Sequence, residues 1–260
     1  EGDGLWTSKD EDLIELVRTY AKLQADAAKT PALLSGLPQP DIPALPTLLL
    51  EFLRPRAGDD GAAMSVGADY FVGRDDAAGF HRSFKRRLSM LQGHLAAASE
   101  LPLTVNHGDL RPPNAALTGN GVCVIMDWDD AMIGPAGMSL HGMFGGCTVP
   151  SILLSDSAAA KSAAKTPNGV RINAYLEALA AAGYSDVITL KRALPASMCA
   201  GMIQFILNFA NFPGEENRVP VGDTLGERLK DLLDLCDLLT ARDPDILLEY
   251  AQDYEEHGQY

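Results

Sequence analysis

The sequence predicts an α+β protein that is mostly helical and carries one small β-hairpin. Apolar residues recur at three- and four-residue spacing through most of the 260 residues, which is typical of amphipathic helices. The periodicity changes in the stretch from Leu101 to Asp130, where "LPLTVNHGDL" and "ALTGNGVCVIMDWDD" combine short extended runs with turn residues. Hydrophobic residues make up 47% of the chain, enough to form a large core.

Composition and charge narrow the classes of partner. The formal net charge is −14, and an acidic surface repels phosphate backbones, so we expect no nucleic acid partner. The same charge would attract a cationic small-molecule substrate, although it can also serve solubility alone. No uninterrupted apolar run reaches the roughly 18–20 residues of a membrane span, so we expect no membrane partner. The four cysteines are widely spaced without a C-x-x-C pair, which favours reduced thiols in a cytoplasmic protein.

The first part of the chain contains two predicted helices separated by a rigid connection. A proline-rich connection runs from Thr30 to Pro46, a short helix from Thr47 to Leu53, and a loop from Pro55 to Gly67. Before them, a helix is predicted from Asp10 to Lys29. Its helically spaced face consists of Leu13, Leu16, Val17, Tyr20, Leu23 and Gln24.

Four longer helical patterns follow. One runs from Asp75 to Ser99, ahead of the hairpin. After the hairpin, a helix from Arg171 to Ala182 is ended by Gly183, and two more run from Leu190 to Phe212 and from Leu225 to Ala241.

Polar residues gather where the extended elements end. Asp109 follows the first extended run, in a turn stiffened by two prolines, and Asn114 begins the first hairpin strand. Asp127 ends the second strand, so a tight turn at 119–121 would bring Asn114 and Asp127 together. One amide oxygen and one carboxylate suit Mg²⁺, which keeps several waters and also binds substrate phosphates. Asp109 lies nearby and can accept a proton from a hydroxyl.

An ordinary structural reading of the same residues is available. Asp109 could cap a turn, Asn114 could bond to the backbone, and residues 127–130 could form a solvated loop. That reading does not explain why several polar residues end two elements that meet in space. A metal-dependent hydrolase would need more ligands, and the other histidines show no matching spacing: His81, His94, His141 and His257.

Two segments resemble the catalytic centre of the aminoglycoside phosphotransferase and choline kinase group, whose core is like that of protein kinases. "HGDLRPPN" (His107 to Asn114) has the Asp-x-x-x-x-Asn spacing of the kinase catalytic loop. "IMDWDDAMIGP" (Ile125 to Pro135) corresponds to the segment that carries the metal-binding aspartate after the hairpin. The resemblance implies a protein-kinase-like C-terminal lobe whose small β-hairpin carries the metal site.

The resemblance also implies roles for these residues. Asp109 corresponds to the catalytic base, Asn114 and Asp127 to the metal ligands, and His107 to the residue that braces the loop. Asp129 is a further candidate for contact with metal or substrate. The implied cofactors are ATP and Mg²⁺, and the implied activity is phosphoryl transfer to a hydroxyl of an aminoglycoside-, choline- or sugar-like molecule. The alternative is a non-catalytic, kinase-like binding module.

The resemblance divides the chain into a hinge-like segment, 1–8, and a helical C-terminal lobe, 9–260. Glu1, Gly2 and Asp3 are the hinge residues expected near adenine. The sequence departs from the family in lacking a glycine-rich phosphate loop and the strand that supplies a phosphate-binding lysine. We therefore expect this chain alone to bind nucleotide poorly, because that lobe provides much of the positioning and charge neutralisation.

Overall fold

The computed structural model describes residues 9–52, 74–118, 120–144, 164–210, 231–233, 235, 236 and 239, with the side chains of 74–83, 209 and 210 left out. The helices within these ranges are α1 (Asp10–Lys29), α2 (Leu45–Phe52), α3 (Arg74–Ala98), α4 (His141–Phe144), α5 (Pro167–Ala181) and α6 (Val187–Ala210). The strands are β1 (Thr104–Asn106), β2 (Ala115–Leu117), β3 (Cys123–Ile125) and β4 (Met132–Gly134). The described chain is thus mostly helical with little sheet, as predicted.

The helix boundaries follow local capping chemistry. Helix α1 has the predicted bounds, whereas α5 begins four residues earlier than predicted. The Thr166 hydroxyl accepts a hydrogen bond from Gly169 N–H at 3.1 Å, and Pro167 fits the first helical position. Gly183 ends α5 with a φ of 76°, a left-handed conformation that glycine adopts without steric cost.

Several predicted segments fall outside the described residues. These are the hinge-like segment 1–8, the loop from Pro55 to Gly67, and much of the helix from Leu225 to Ala241. The part of that last helix that is described, including residues 231–233, is helical.

The prediction of one hairpin was incomplete, because the described strands form two separate antiparallel pairs. Strands β2 and β3 form the predicted hairpin, with Ala115 opposite Ile125. Strands β1 and β4 form a second pair, with Asn106 opposite Met132. Strand β4 has three residues, all buried, so it lacks the alternation that identifies a strand from sequence. The second pair matters for the site, because β1 leads into the His107–Asn114 segment and β4 follows the acidic residues 127–130.

A buried polar side chain fixes β1 against the helices. Gln24 of α1 is fully buried, and its Nε2 donates to the Val105 carbonyl at 2.9 Å and to Asn106 Oδ1 at 3.1 Å. Its Oε1 accepts from the hydroxyl of Tyr175, which lies on α5. Satisfying a buried amide in this way avoids a desolvation cost of about 1–3 kcal/mol per unpaired group. Strand β1 is therefore held in place directly before the candidate site.

The helices pack closely around a short 3₁₀ helix, Met138–Leu140, that follows β4. Helix α6 crosses this segment at Gly201, where a Cβ atom would lie 1.7 Å from the Met138 carbonyl oxygen. Elsewhere in the core, Tyr20 of α1 stacks on Tyr175 of α5 with ring centroids 6.4 Å apart. The close approach at Gly201 sets the position of the 3₁₀ helix, which also carries Ser139.

Two further observations concern the described residues only. None of their helices is both long enough and apolar enough to cross a membrane. Cys123, Cys199 and Cys236 are free thiols, and Cys147 lies outside the described residues.

We predict that Gly201→Ala lowers the free energy of unfolding by about 1–3 kcal/mol, because the added methyl group must displace the Met138 backbone. Gly93→Ala is the matched control, since Gly93 also lies inside a helix but has open space around its Cα. Alanine there should stabilise the protein by about 0.5–1 kcal/mol. Urea unfolding measures both changes, and equal effects at the two sites would contradict this packing.

Candidate active site

Side chains, not secondary structure, hold the start of the segment 107–114, here called the HGD loop. The backbone N–H of His107 donates to the Tyr20 hydroxyl at 3.0 Å. The N–H of Gly108 donates to Ser139 Oγ at 2.9 Å, and the N–H of Asp109 donates to His107 Nδ1 at 3.3 Å. Three successive backbone donors therefore have fixed partners, which defines the position from which the Asp109 side chain projects.

Gly108 brings the HGD loop against the acidic loop, residues 126–131. Its φ is 86°, and a Cβ atom at this position would lie 2.3 Å from the Asp130 carbonyl oxygen. Only glycine combines this conformation with such close backbone contact. The contact explains why a glycine separates His107 from Asp109.

His107 joins the same two loops through its ring. Its side chain is fully buried, and Nε2 lies 2.7 Å from the Met126 carbonyl oxygen. A carbonyl only accepts, so Nε2 carries the proton and Nδ1 accepts from Asp109 N–H; a single neutral tautomer satisfies both bonds. The Trp128 ring packs against the imidazole at a centroid distance of 4.6 Å. The loop-bracing position expected of His107 is thus occupied by a fully hydrogen-bonded imidazole.

Asn114 connects Asp109, the candidate base, with the segment that carries Asp127, the other candidate metal ligand. Its Nδ2 donates to the Asp109 carbonyl oxygen at 2.8 Å and to Asp109 Oδ2 at 3.1 Å. Its own carbonyl oxygen accepts from Met126 N–H at 2.9 Å, so Asp127 follows directly after the last bond that joins the two segments. Nδ2 thus bonds to the backbone, as the ordinary structural interpretation of Asn114 expects. The amide oxygen Oδ1 points away from Nδ2 on the same planar group and has a lone pair to offer a ligand.

The carboxylate of Asp109 is oriented by a cation as well as by an amide. Arg111 Nε lies 2.8 Å from Asp109 Oδ2, and the two side chains are 50% and 21% exposed. The ion pair holds one carboxylate oxygen while leaving the group in contact with solvent.

Asp127 has an unusual backbone conformation. Its φ is 64°, and it is the single non-glycine residue with positive φ among the described residues. Aspartate tolerates this region better than most residues, yet the conformation carries strain that often marks functional sites. Asp127 and Asp129 are both exposed, so their carboxylates are open to a ligand.

The four aspartates share one electrostatic environment. The pKa of Asp130 is raised, first by burial and then by the charges of Asp109, Asp127 and Asp129. The neighbouring charges are felt at Asp130 because the HGD loop and the acidic loop lie against each other. A divalent cation near this group would relieve the repulsion.

Within the described part of the chain, no set of three His, Cys, Asp or Glu side chains forms a group suited to hold a metal ion. The sequence implies only two protein ligands, one asparagine and one aspartate, which is fewer than the three side chains of such a group. A groove of about 700 Å³ runs along the outer face of α1, but none of the residues of the HGD and acidic loops lines it.

Comparison with known proteins connects this geometry to a family. The model of the phosphotransferase enzyme family matches residues 11–144, which include the HGD loop, the hairpin and the acidic loop. The chain belongs to this family. Its members include the aminoglycoside phosphotransferases, so the resemblance given by the two motifs is confirmed. The comparison with curated proteins found no match.

The phosphotransferase brings most of its predicted site residues together. Asp109 is hydrogen-bonded to both His107 and Asn114, and Asp127 and Asp129 lie in the loop that His107 contacts. The hinge candidates Glu1, Gly2 and Asp3 lie outside the described residues.

Some contributions were missed from sequence. The ion pair between Arg111 and Asp109 was not predicted. Tyr20 and Ser139 were missed as partners of the loop backbone, since an apolar helix face and a single serine give no signal for such a role.

We predict that Asp130→Asn stabilises the phosphotransferase at neutral pH. A raised pKa in the folded state means that the protonated carboxyl favours folding and that this contribution is lost as the pH rises through the folded-state value. The variant should therefore be more stable at pH 7 by no more than about 1 kcal/mol, since solvent screens a partly exposed group. Its advantage should shrink as the pH falls towards the ordinary aspartate range.

Asp186→Asn is the control with the opposite sign. The pKa of Asp186 is lowered, chiefly by hydrogen bonds from the Thr189 hydroxyl and backbone N–H, so its charge favours folding at neutral pH. Chemical unfolding between pH 4 and pH 7 measures both variants. An Asp130→Asn protein that is less stable than wild type at pH 7 would contradict the clustered charges.

Proposed function

We propose that the protein transfers the γ-phosphoryl group of ATP to a hydroxyl of a small molecule, with Asp109 as the base and Mg²⁺ held by Asn114 and Asp127. The family relationship supports phosphoryl transfer in general. The observation that carries the finer proposal is the position of Asn114. Its side-chain amide donates to Asp109, and its backbone carbonyl accepts from Met126, the residue before Asp127.

The donor chemistry fits magnesium. Mg²⁺ takes one or two protein oxygens and fills its remaining positions with water and substrate phosphates. Asn114 Oδ1 and the exposed Asp127 carboxylate are such a pair. The pKa of the neighbouring Asp130 is raised by burial and by the negative charges of Asp109, Asp127 and Asp129. When bound, the ion would neutralise charge on the phosphates. The protein would supply the fixed loops from which the two ligands project.

An apolar surface beside Asp127 favours a nucleotide. Val122, Val124 and Met126 alternate along β3 and its flanks, and are 53%, 40% and 42% exposed. Alternate residues of a strand share a face, so the three form one apolar strip that ends at the acidic loop. A purine base on this strip would place its phosphates towards Asp127.

In the proposed reaction, one bond to the γ-phosphorus replaces another. The acceptor hydroxyl oxygen forms a bond to the γ-phosphorus while the bond from that phosphorus to the β,γ-bridging oxygen breaks, which releases ADP. The hydroxyl proton passes to the Asp109 carboxylate. Arg111 and Asn114 both bind Oδ2 of Asp109 and thereby orient the carboxylate towards the acceptor.

A cationic acceptor, such as an aminoglycoside or a choline-like amino alcohol, suits the charge best. The protein carries a net charge of −14, and four aspartates lie around the site. Such a field raises the local concentration of cations. Asp129, exposed beside Asp127, is the residue we assign to contact with the acceptor or the metal.

We predict that Asp109→Asn in the full-length protein lowers kcat by about 10²–10⁴-fold, the usual cost of losing a general base. Asparagine keeps the shape and can still bond to Asn114, so affinity for the nucleotide with Mg²⁺ should stay close to that of wild type. ADP release in a screen of aminoglycosides, amino alcohols, amino acids and sugars measures turnover, and calorimetry measures affinity.

Two results would contradict the proposed role of Asp109 or the proposed activity. Turnover by Asp109→Asn equal to that of wild type would rule out Asp109 as the base. Nucleotide binding by the wild type without ADP release for any acceptor would favour the alternative of a non-catalytic, kinase-like binding module. Asp186→Asn serves as a control in both assays, because Asp186 caps α6 away from the HGD and acidic loops.

A further inference from the structure

Two buried hydroxyl groups lie behind the HGD loop and bind its backbone. Tyr20 is fully buried on α1, and Ser139 is 1% exposed in the 3₁₀ helix after β4. Tyr20 accepts from His107 N–H at 3.0 Å, and Ser139 accepts from Gly108 N–H at 2.9 Å. Together the two hydroxyls bind two adjacent peptide groups directly before Asp109.

The two hydroxyls reach the HGD loop from distant parts of the chain. Each comes from a segment far away in sequence, 87 residues from His107 for Tyr20 and 31 residues from Gly108 for Ser139. Each segment is itself held by the core, α1 through Gln24 and the 3₁₀ helix through its contact with Gly201. The backbone of the HGD loop is thereby connected to the rigid part of the fold at the two residues that precede Asp109.

We propose that Tyr20 and Ser139 are positioning residues for phosphoryl transfer, which hold the backbone of His107 and Gly108 so that the Asp109 carboxylate faces the acceptor hydroxyl. The inference rests on the proposed role of Asp109. Neither hydroxyl touches the reacting atoms. Their effect reaches Asp109 through one peptide unit and through His107 Nδ1, which accepts from Asp109 N–H.

The effect on rate follows from the geometry. Without the Tyr20 hydroxyl, His107 N–H has no acceptor in a buried setting, and the loop must shift or admit water. A displacement of about 1 Å at a catalytic group can lower the rate by about 100-fold. We expect kcat to fall by roughly 10- to 100-fold in Tyr20→Phe. The KM for the nucleotide should change little, because the bond from Met126 N–H to the Asn114 carbonyl, directly before Asp127, involves neither hydroxyl.

Tyr175→Phe is the matched control. Tyr175 is fully buried, stacks on Tyr20, and uses its hydroxyl on Gln24 rather than on the HGD loop. Both variants lose one buried hydroxyl of the same kind. Tyr175→Phe leaves the bonds of Gln24 to Val105 and Asn106 in place, so β1 stays held before the site. A general loss of stability should therefore affect both variants, whereas loss of the bond to the HGD loop should affect Tyr20→Phe alone.

The experiment uses three readouts on full-length wild type, Tyr20→Phe, Ser139→Ala and Tyr175→Phe. Amide hydrogen exchange at His107 and Gly108 should accelerate at least about tenfold in the first two variants relative to the control at matched global stability. The side-chain carboxyl ¹³C resonance of Asp109 should move in the same two variants. Steady-state kinetics gives kcat and KM separately.

The outcomes separate the two proposals. Faster exchange, a moved Asp109 resonance and a selective fall in kcat support the positioning role. Exchange and resonance that match the Tyr175→Phe control overturn it, and so does a kcat equal to that of the control. If the wild type shows no turnover with any acceptor, the proposed function fails, and exchange and the Asp109 resonance still decide whether the hydroxyls hold the loop. If Tyr20→Phe does not fold, Ser139→Ala decides the question by the same readouts.

Discussion

The hydrogen bond from His107 Nε2 to the Met126 carbonyl is the contact on which the rest of the site depends. It joins the HGD loop to the acidic loop across 2.7 Å, from an imidazole that is fully buried. The bond from Met126 N–H to the Asn114 carbonyl and the close contact of Gly108 with Asp130 also join the two loops, and the imidazole adds a side-chain link to these backbone contacts. The same ring accepts from Asp109 N–H, so one neutral imidazole fixes both the spacing of the loops and the direction of Asp109. The proposed division between a base on one loop and a metal ligand on the other requires that spacing.

Two features that suit the site to its proposed function do not favour folding. Four aspartates lie close enough for three of them to raise the pKa of the fourth, and Asp127 adopts a left-handed backbone conformation. Neither feature favours folding. Both are tolerated because the surrounding structure is strongly determined, with Gly108 packed on Asp130 and Asn114 bonded on two sides. Concentrated negative charge at a fixed surface is the property that a divalent cation and a cationic acceptor would use.

Most of the helices and the hairpin could be predicted because their signals are local. Periodicity identified α1 with its bounds, and turn residues between two extended runs identified the β2–β3 pair. The closeness of Asn114 to the segment ending in Asp127 followed from the hairpin itself. Strand β4 was missed because three buried residues show no alternation. The contacts of Tyr20, Ser139 and Arg111 were missed for a different reason. A side chain that binds a distant backbone group leaves no pattern in the sequence around it. The sequence also does not show with which of several nearby carboxylates Arg111 forms its ion pair.

The most direct test of the account is the location of the divalent ion. Crystals of the full-length protein grown with Mn²⁺ in place of Mg²⁺ and a non-hydrolysable ATP analogue would give an anomalous signal at the metal. The account predicts a peak bound by Asn114 Oδ1 and the Asp127 carboxylate, with Asp109 directed away from the ion and His107 still bonded to the Met126 carbonyl. A peak held mainly by Asp109, or one bound without either Asn114 or Asp127, would contradict it.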